Sequence, residues 1–246
     1  MKLILLRHGE SEWNKLNKFT GWTDVDLTKQ GIDEAAFSGQ QILNEKITVD
    51  YIYTSLLKRA INTSKIVADI LDFHKENIIY DWRLNERHYG ALQGLNKSET
   101  AEKFGEEQVK IWRRSFSVSP PKLSLDDKRH PRFSKTFNNI EGSLPAGESL
   151  EDVIIRLKPF LKKFFSLVTK KNGSYLIVAH SNSLRAIVKI LDSLSDEEII
   201  SLNIPTGIPL VYDLDKDLNV LNKKYLIDEK RLKEKEEIVI NQGKMQ

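Results

Sequence analysis

The chain has 246 residues, 40% hydrophobic and 30% charged, a length and balance that fit one α/β domain or two small ones around a substantial core. It has no cysteine, which excludes disulfides, thiolate catalysis and thiolate-bound metal and fits a reducing, cytoplasmic setting. The 38 basic residues nearly match the 35 acidic ones, and a net charge of +3 argues against general nucleic-acid binding, whose footprint is a clustered basic excess.

No apolar run approaches the roughly 20 residues of a bilayer span, and the N-terminus reads as a strand rather than a secretion signal, so neither a membrane partner nor export is expected. Leu3-Ile4-Leu5-Leu6 is a short strand buried on both faces, and it stops at Arg7-His8-Gly9. A titratable ring is thus delivered to a strand's carboxyl end. Gly9 suits a turn or a close approach, and Ser11 offers a helix cap.

After a polar, aromatic loop at 17–24, Thr28 caps a helix over about 29–44 with Ile32, Ala35, Ala36, Ile42 and Leu43 as its apolar stripe. Residues 49–53 read as a second strand, and Thr54-Ser55 as the cap of a helix whose first turn holds Lys58 and Arg59. Cations there are disfavoured by up to about 1 kcal/mol, and a bound anion would supply their reason. Residues 78–80 form a short third strand. Residues 83–95 show neither helical nor strand period, and their charge, aromatics and two glycines mark either a functional loop or an ordinary exposed one.

Two short helices follow, the second ending near Arg113-Arg114, and about 117–147, with four prolines, reads as an irregular insertion or lid. Ser149-Leu150-Glu151-Asp152 is a capping box opening a long helix to about Val168, which Pro159 should kink. Residues 175–179 are strand, and His180-Ser181-Asn182-Ser183 leads into a helix over 184–191, repeating the opening arrangement. A short helix from Ser195, two strands at 208–212 and 220–227 forming an antiparallel edge pair, and a charged tail from about 228 to 246, helical over 230–237, complete the chain.

Strands alternating with helices predict a single domain, a three-layer α/β/α fold with a mostly parallel central sheet and an antiparallel edge strand. The carboxyl ends of parallel strands share one edge, where ligands bind. His8 and His180 should meet there, together with Arg59. Such a group could be a metal site, an acid/base pair or an anion-binding nucleophilic centre. Metal fits poorly, because the cations would repel it and the nearby carboxylates lack ligand spacing. A nucleophilic histidine does call for arginines, which neutralise the oxygens of a transferred phosphoryl group, and Glu86 is then a candidate to move the proton of the substrate hydroxyl. His74, His88 and His130 lie away from strand ends and read as surface or loop residues. Trp13 and Trp22 read as packing near the site.

Arg7-His8-Gly9-Glu10-Ser11-Glu12-Trp13-Asn14 resembles the signature of the histidine phosphatase superfamily. Within it the chain resembles the 2,3-bisphosphoglycerate-dependent phosphoglycerate mutases, through Phe19-Thr20-Gly21-Trp22, Tyr53-Thr54-Ser55 to Lys58-Arg59-Ala60, residues 85–96, Trp112-Arg113-Arg114 and Asn203-Ile204-Pro205-Thr206-Gly207. The resemblance implies that His8 is phosphorylated, with Arg7, Arg59 and His180 gripping the phosphoryl group, Asn14 bonded to the His8 ring or the phosphoryl oxygens, and Glu86 as acid/base. It implies that Arg113, Arg114 and Lys97 hold the substrate's carboxylate and second phosphate. Tyr89, Thr20 and the backbone around Gly21 would line the pocket, and Ser11 and the Asn182 amide would face the ligand.

Interconversion of 3- and 2-phosphoglycerate, primed by 2,3-bisphosphoglycerate and needing no metal, is the implied activity, with phosphoglycerates as partners, a homo-oligomer (a dimer favoured), and a tail that folds over the site. The competing readings are a bisphosphoglycerate mutase, against which Gly21 speaks; a phosphatase, which needs no carboxylate clamp; and a weakly catalytic binding protein that kept the fold. Ser181 departs from the glycine of most relatives. The Leu144-Pro145-Ala146-Gly147-Glu148-Ser149 junction carries no assigned function.

Overall fold

The structure is a computed structural model and describes residues 1–242. Strands β1 (Lys2–Arg7), β2 (Tyr51–Thr54), β3 (Ile79–Tyr80), β4 (Ser174–Ala179), β5 (Leu210–Leu214) and β6 (Val220–Tyr225) form one sheet in the order β3-β2-β4-β1-β5-β6. The first four run parallel, while β5 pairs antiparallel with β1 and β6 antiparallel with β5. The antiparallel part is therefore a pair of strands at one side of a mostly parallel sheet.

Successive strand residues point to opposite faces, and both faces are covered, so the strands read as unbroken apolar runs. Leu3, Leu5, Tyr53, Tyr175 and Ile177 join one core with α6 (Leu150–Val168) and α7 (Ser181–Leu191). Ile4, Leu6, Ile52, Leu176 and Val178 join the other with α2 (Lys29–Asn44) and α3 (Lys58–Ile70). The remaining helices are α1 (Glu12–Lys15), α4 (Lys97–Phe104), α5 (Glu106–Arg114), α8 (Glu198–Ser201) and α9 (Glu229–Asn241).

Several local expectations give way to tertiary contacts. Helix α2 buries Gly31, Ala35, Ser38, Gly39 and Ile42, whereas Ile32 and Leu43 are 48% and 46% exposed. Small residues let α2 approach α3 closely, and the Gly39 position abuts Ile70. Helix α3 starts at Lys58 with no side-chain cap, because the presumed caps are engaged elsewhere. The Thr54 hydroxyl donates to the Val178 carbonyl (3.0 Å), and Ser55 Oγ lies 2.7 Å from His180 Nε2. The anion at the start of α3 is Asp24, whose carboxylate accepts the Lys58 amide at 2.7 Å.

Residues 117–147 are irregular apart from two short 3-10 turns. Helix α6 begins in the Ser149–Asp152 capping box and continues past Pro159. Helix α9 is longer than expected and takes in 238–240, while residues 243–246 of the expected lid lie outside the described residues. His88 and His130 are buried rather than superficial, 0% and 2% exposed, because the loops carrying them are folded inward. Among the described residues no helix is long and apolar enough to cross a membrane.

Gly9 sits where a Cβ would overlap the Gly31 carbonyl of α2, so the turn after β1 is packed backbone against backbone. Gly9→Ala is expected to lower stability by about 1–3 kcal/mol, the usual cost of overpacking, measured as the shift in urea midpoint at constant slope. An unchanged midpoint would contradict this packing.

Candidate active site

Strands β1 and β4 pair in register, Arg7 opposite Ala179, and the His8 amide donates to the Ala179 carbonyl at 3.1 Å. Both chains then leave the sheet at the same edge. The His8 and His180 rings meet edge to face with centroids 4.9 Å apart. His8 is 3% exposed and His180 fully buried.

The partners of His8 fix its tautomer. Nδ1 lies 2.7 Å from the Gly9 carbonyl, which can only accept, so Nδ1 carries the proton. Nε2 accepts from Arg59 Nε at 3.2 Å. Burial, then Arg59 and Arg7, hold the His8 pKa well below its ordinary value. The ring is thus neutral at physiological pH, with its Nε2 lone pair among cations. His180 is depressed likewise, by burial and then by Arg59, His8 and Arg7.

Arg59 is anchored by the carbonyls of Thr23 (2.9 Å) and Gly21 (2.8 Å), and burial lowers its pKa only to about 10. Arg7 donates to the Ile204 carbonyl at 2.7 Å, while its buried Nε has no partner among the described residues. Glu86 Oε1 accepts from the amides of Arg87 (2.7 Å) and Asn182 (3.1 Å). The Asn182 side chain bonds the Tyr89 hydroxyl at 3.2 Å.

Apart from His180, these groups surround one pocket, lined also by Asn14, Thr20, Gly21, Lys97, Arg113, Arg114 and Ser181. Burial, and secondarily neighbouring cations, lower Lys97 well below its ordinary value and take Arg113 to about 10. A pocket walled by cations at each other's expense favours an anion with several negative oxygens.

Not every expected residue stands where the sequence put it. His180 meets the His8 ring edge to face but is not among the residues that line the pocket. Ser11 is fully buried and absent from the lining. Asn14 reaches the pocket, but its side-chain oxygen accepts from the Ser11 amide (3.1 Å) and hydroxyl (2.8 Å) in the cap of α1, not from the His8 ring. Four lining residues escaped the sequence reading: Lys18, Arg185, Val239 and Gln242. Arg185 was detectable from helical spacing, three residues after Asn182, whose side-chain oxygen it holds at 2.9 Å. Val239 and Gln242 bring the tail onto the pocket, where Gln242 accepts from Lys97 (3.1 Å) and Arg113.

The family model of the histidine phosphatase superfamily (branch 1) matches residues 3–224. A 2,3-bisphosphoglycerate-dependent phosphoglycerate mutase of Treponema denticola is 54% identical over 245 residues, 99% of each chain. Among solved structures, a mycobacterial glucosyl-3-phosphoglycerate phosphatase superposes with a TM-score of 0.66 at 20% identity, over 91% of this chain and 96% of that one. The α-ribazole phosphatase of Shigella flexneri does so with 0.63 at 19%, over 89% and 93%. These two likenesses concern the fold.

In an unfolded chain a histidine ionises near pH 6.5, but burial holds His8 and His180 well below that and, with His130 and Arg156 adding to it, takes His88 to about 3. Below about 6.5 the unfolded chain binds protons that the folded chain refuses, so stability falls on acidification by about 1.4 kcal/mol per pH unit for each such ring. Urea unfolding from about pH 7 to pH 5 should show this decline. A flat profile would contradict the buried, neutral state of these rings.

Proposed function

The chain belongs to the histidine phosphatase superfamily, among its 2,3-bisphosphoglycerate-dependent phosphoglycerate mutases, and on that premise we propose that it interconverts 3- and 2-phosphoglycerate through phospho-His8, primed by 2,3-bisphosphoglycerate. The observation that carries this reading is the His8 ring, protonated on Nδ1 toward Gly9 and presenting a neutral Nε2 to a cation-walled pocket that also holds Glu86.

Priming transfers a phosphoryl group from 2,3-bisphosphoglycerate to Nε2. The nitrogen lone pair attacks phosphorus, the ester P–O bond breaks, and the leaving oxygen takes a proton from Glu86. Arg59 Nε–H, which donates to Nε2 in the structure, turns to a phosphoryl oxygen, and Arg7 adds its Nε–H, which has no partner among the described residues. In turnover the hydroxyl of bound 3-phosphoglycerate attacks the phosphorus, the N–P bond breaks, and the hydroxyl proton passes to Glu86. The resulting bisphosphate reorients and returns its other phosphoryl group to His8, with Glu86 giving the proton back.

His180, whose Nε2 lies 2.7 Å from Ser55 Oγ and whose ring meets that of His8, joins Arg7 and Arg59 in gripping the phosphoryl group. Lys97, Arg113 and Arg114 hold the carboxylate and the phosphate that is not transferring, a clamp that simple hydrolysis does not need. Tyr89 and Asn182 line the same pocket, and Val239 and Gln242 of the tail reach it. The enzyme acts in the cytoplasm as a homodimer.

A coupled assay from 3-phosphoglycerate with a chelator present tests this, and activity should require added bisphosphoglycerate. Label from the bisphosphate should appear as an acid-labile, alkali-stable phosphohistidine, and His8→Ala should abolish both label and turnover. Retained turnover in His8→Ala would falsify the mechanism. Ser181, at the first turn of α7 on the pocket wall, adds a side chain beside the phosphoryl position. Ser181→Gly is expected to change kcat by less than tenfold, about 1.4 kcal/mol of barrier, and a larger change would assign that hydroxyl a direct role.

A further inference from the structure

A buried ion pair lies outside the pocket, between Glu148, just before the capping box of α6, and Arg156, two turns into that helix. The two side chains are each 5% exposed and meet at 2.7 Å. Neither lines the pocket. Every nitrogen of the guanidinium is engaged, and its targets are concentrated on one segment. Arg156 Nη1 donates to the carbonyls of Arg83 (2.6 Å) and Asn85 (3.2 Å), and Nη2 donates to that of Glu86 (3.2 Å). Nε and Nη2 also grip the two Glu148 oxygens, at 2.7 and 3.1 Å.

Glu148 completes the grip on the other side of Glu86. Its Oε2 accepts the His88 amide at 2.8 Å, and its own amide donates to the His88 carbonyl at 2.9 Å. Trp22 Nε1 adds a 2.6 Å bond to the Glu86 carbonyl, and the guanidinium carbon lies 5.7 Å from the Trp22 ring centroid. A 3-10 turn ends at Leu84, and over 86–88 the backbone has neither helical nor strand bonding of its own, so these two side chains, with Trp22, supply what secondary structure would.

Burying two charges is a poor way to gain stability, because desolvation offsets their attraction and apolar replacements of such pairs are frequently neutral or better. A lysine would neutralise Glu148 but could not serve three carbonyls and a carboxylate from one plane. We propose that the Glu148–Arg156 pair is a positioning device for Glu86, setting the backbone of 85–88 so that the carboxylate stands at the site of proton transfer. The inference rests on the acid/base reading of Glu86 and adds to it two residues that never touch substrate.

The test uses the leaving group. Release of a glycerate alkoxide needs a proton, whereas p-nitrophenolate leaves without one, so a defect that acts through Glu86 falls on the first and spares the second. For Arg156→Lys in the full chain, kcat for phosphoglycerate interconversion should fall 10- to 100-fold with KM for 3-phosphoglycerate within about threefold. The single-turnover rate of loading His8 from p-nitrophenyl phosphate, read as trapped phosphohistidine, should fall by less than about threefold. Equal losses in both reactions, or no loss in either, would overturn the proposal. Should Arg156→Lys fail to fold, Glu148→Gln, which keeps the acceptor oxygen and the shape, decides by the same two rates. Glu86→Gln run alongside separates the premises: if it shows no selective loss with phosphoglycerate, the acid/base reading has failed, whereas a selective loss there without one at Arg156 and Glu148 refutes only the positioning role.

Discussion

The in-register parallel pairing of β1 with β4 is the constraint from which the site follows. Arg7 lies opposite Ala179, and one further hydrogen bond carries the register past the sheet to His8. With the two strands ending together, the next residue of each is a histidine, and their rings have no choice but to meet. A slip of one residue would turn both apolar strands inside out across the two cores, so the burial of Leu3 to Leu6 and of Tyr175 to Ala179 is what fixes the distance between the two rings.

Around that pair the chain accumulates positive charge where water is excluded. Arg7, Arg59, Lys97, Arg113 and Arg114 all have lowered pKa values with burial as the leading cause. Most of these cations spend donors on backbone carbonyls, among them those of Ile204, Gly21, Thr23 and Leu202. Such fixed dipoles hold the guanidinium groups without neutralising them. The net charge is left for a ligand to balance, and Gln242 of the tail offers only neutral oxygens to Lys97 and Arg113.

Helix starts show how local and tertiary demands divide. Thr28 and Ser149 cap their helices as their sequence context dictates. Thr54 and Ser55 have the same chemistry, but Thr54 bonds to β4, and Ser55 is shared between His180 and the Leu57 amide, short of the first turn of α3. What distinguishes them is the neighbour across the sheet, and the vacated end of α3 receives Asp24 from a loop that precedes it by more than thirty residues.

By itself the sequence determined the alternation of strands and helices and the two histidine junctions, with Arg7, Arg59 and Glu86 as their companions, because periodicity, caps and short motifs are properties of short stretches; Lys97, Arg113 and Arg114 were legible only through the family resemblance. Only the tertiary structure decided the order of the strands, the retreat of His180 and Ser11 from the pocket wall, the burial of His88 and His130, and the contribution of Arg185, Val239 and Gln242. Each of these depends on which distant surface a residue meets. Residues 85–88 hold the clearest case: with no period to read, their backbone is held by Glu148 and Arg156 from sixty residues or more along the chain, and no local pattern can encode a partner that far away.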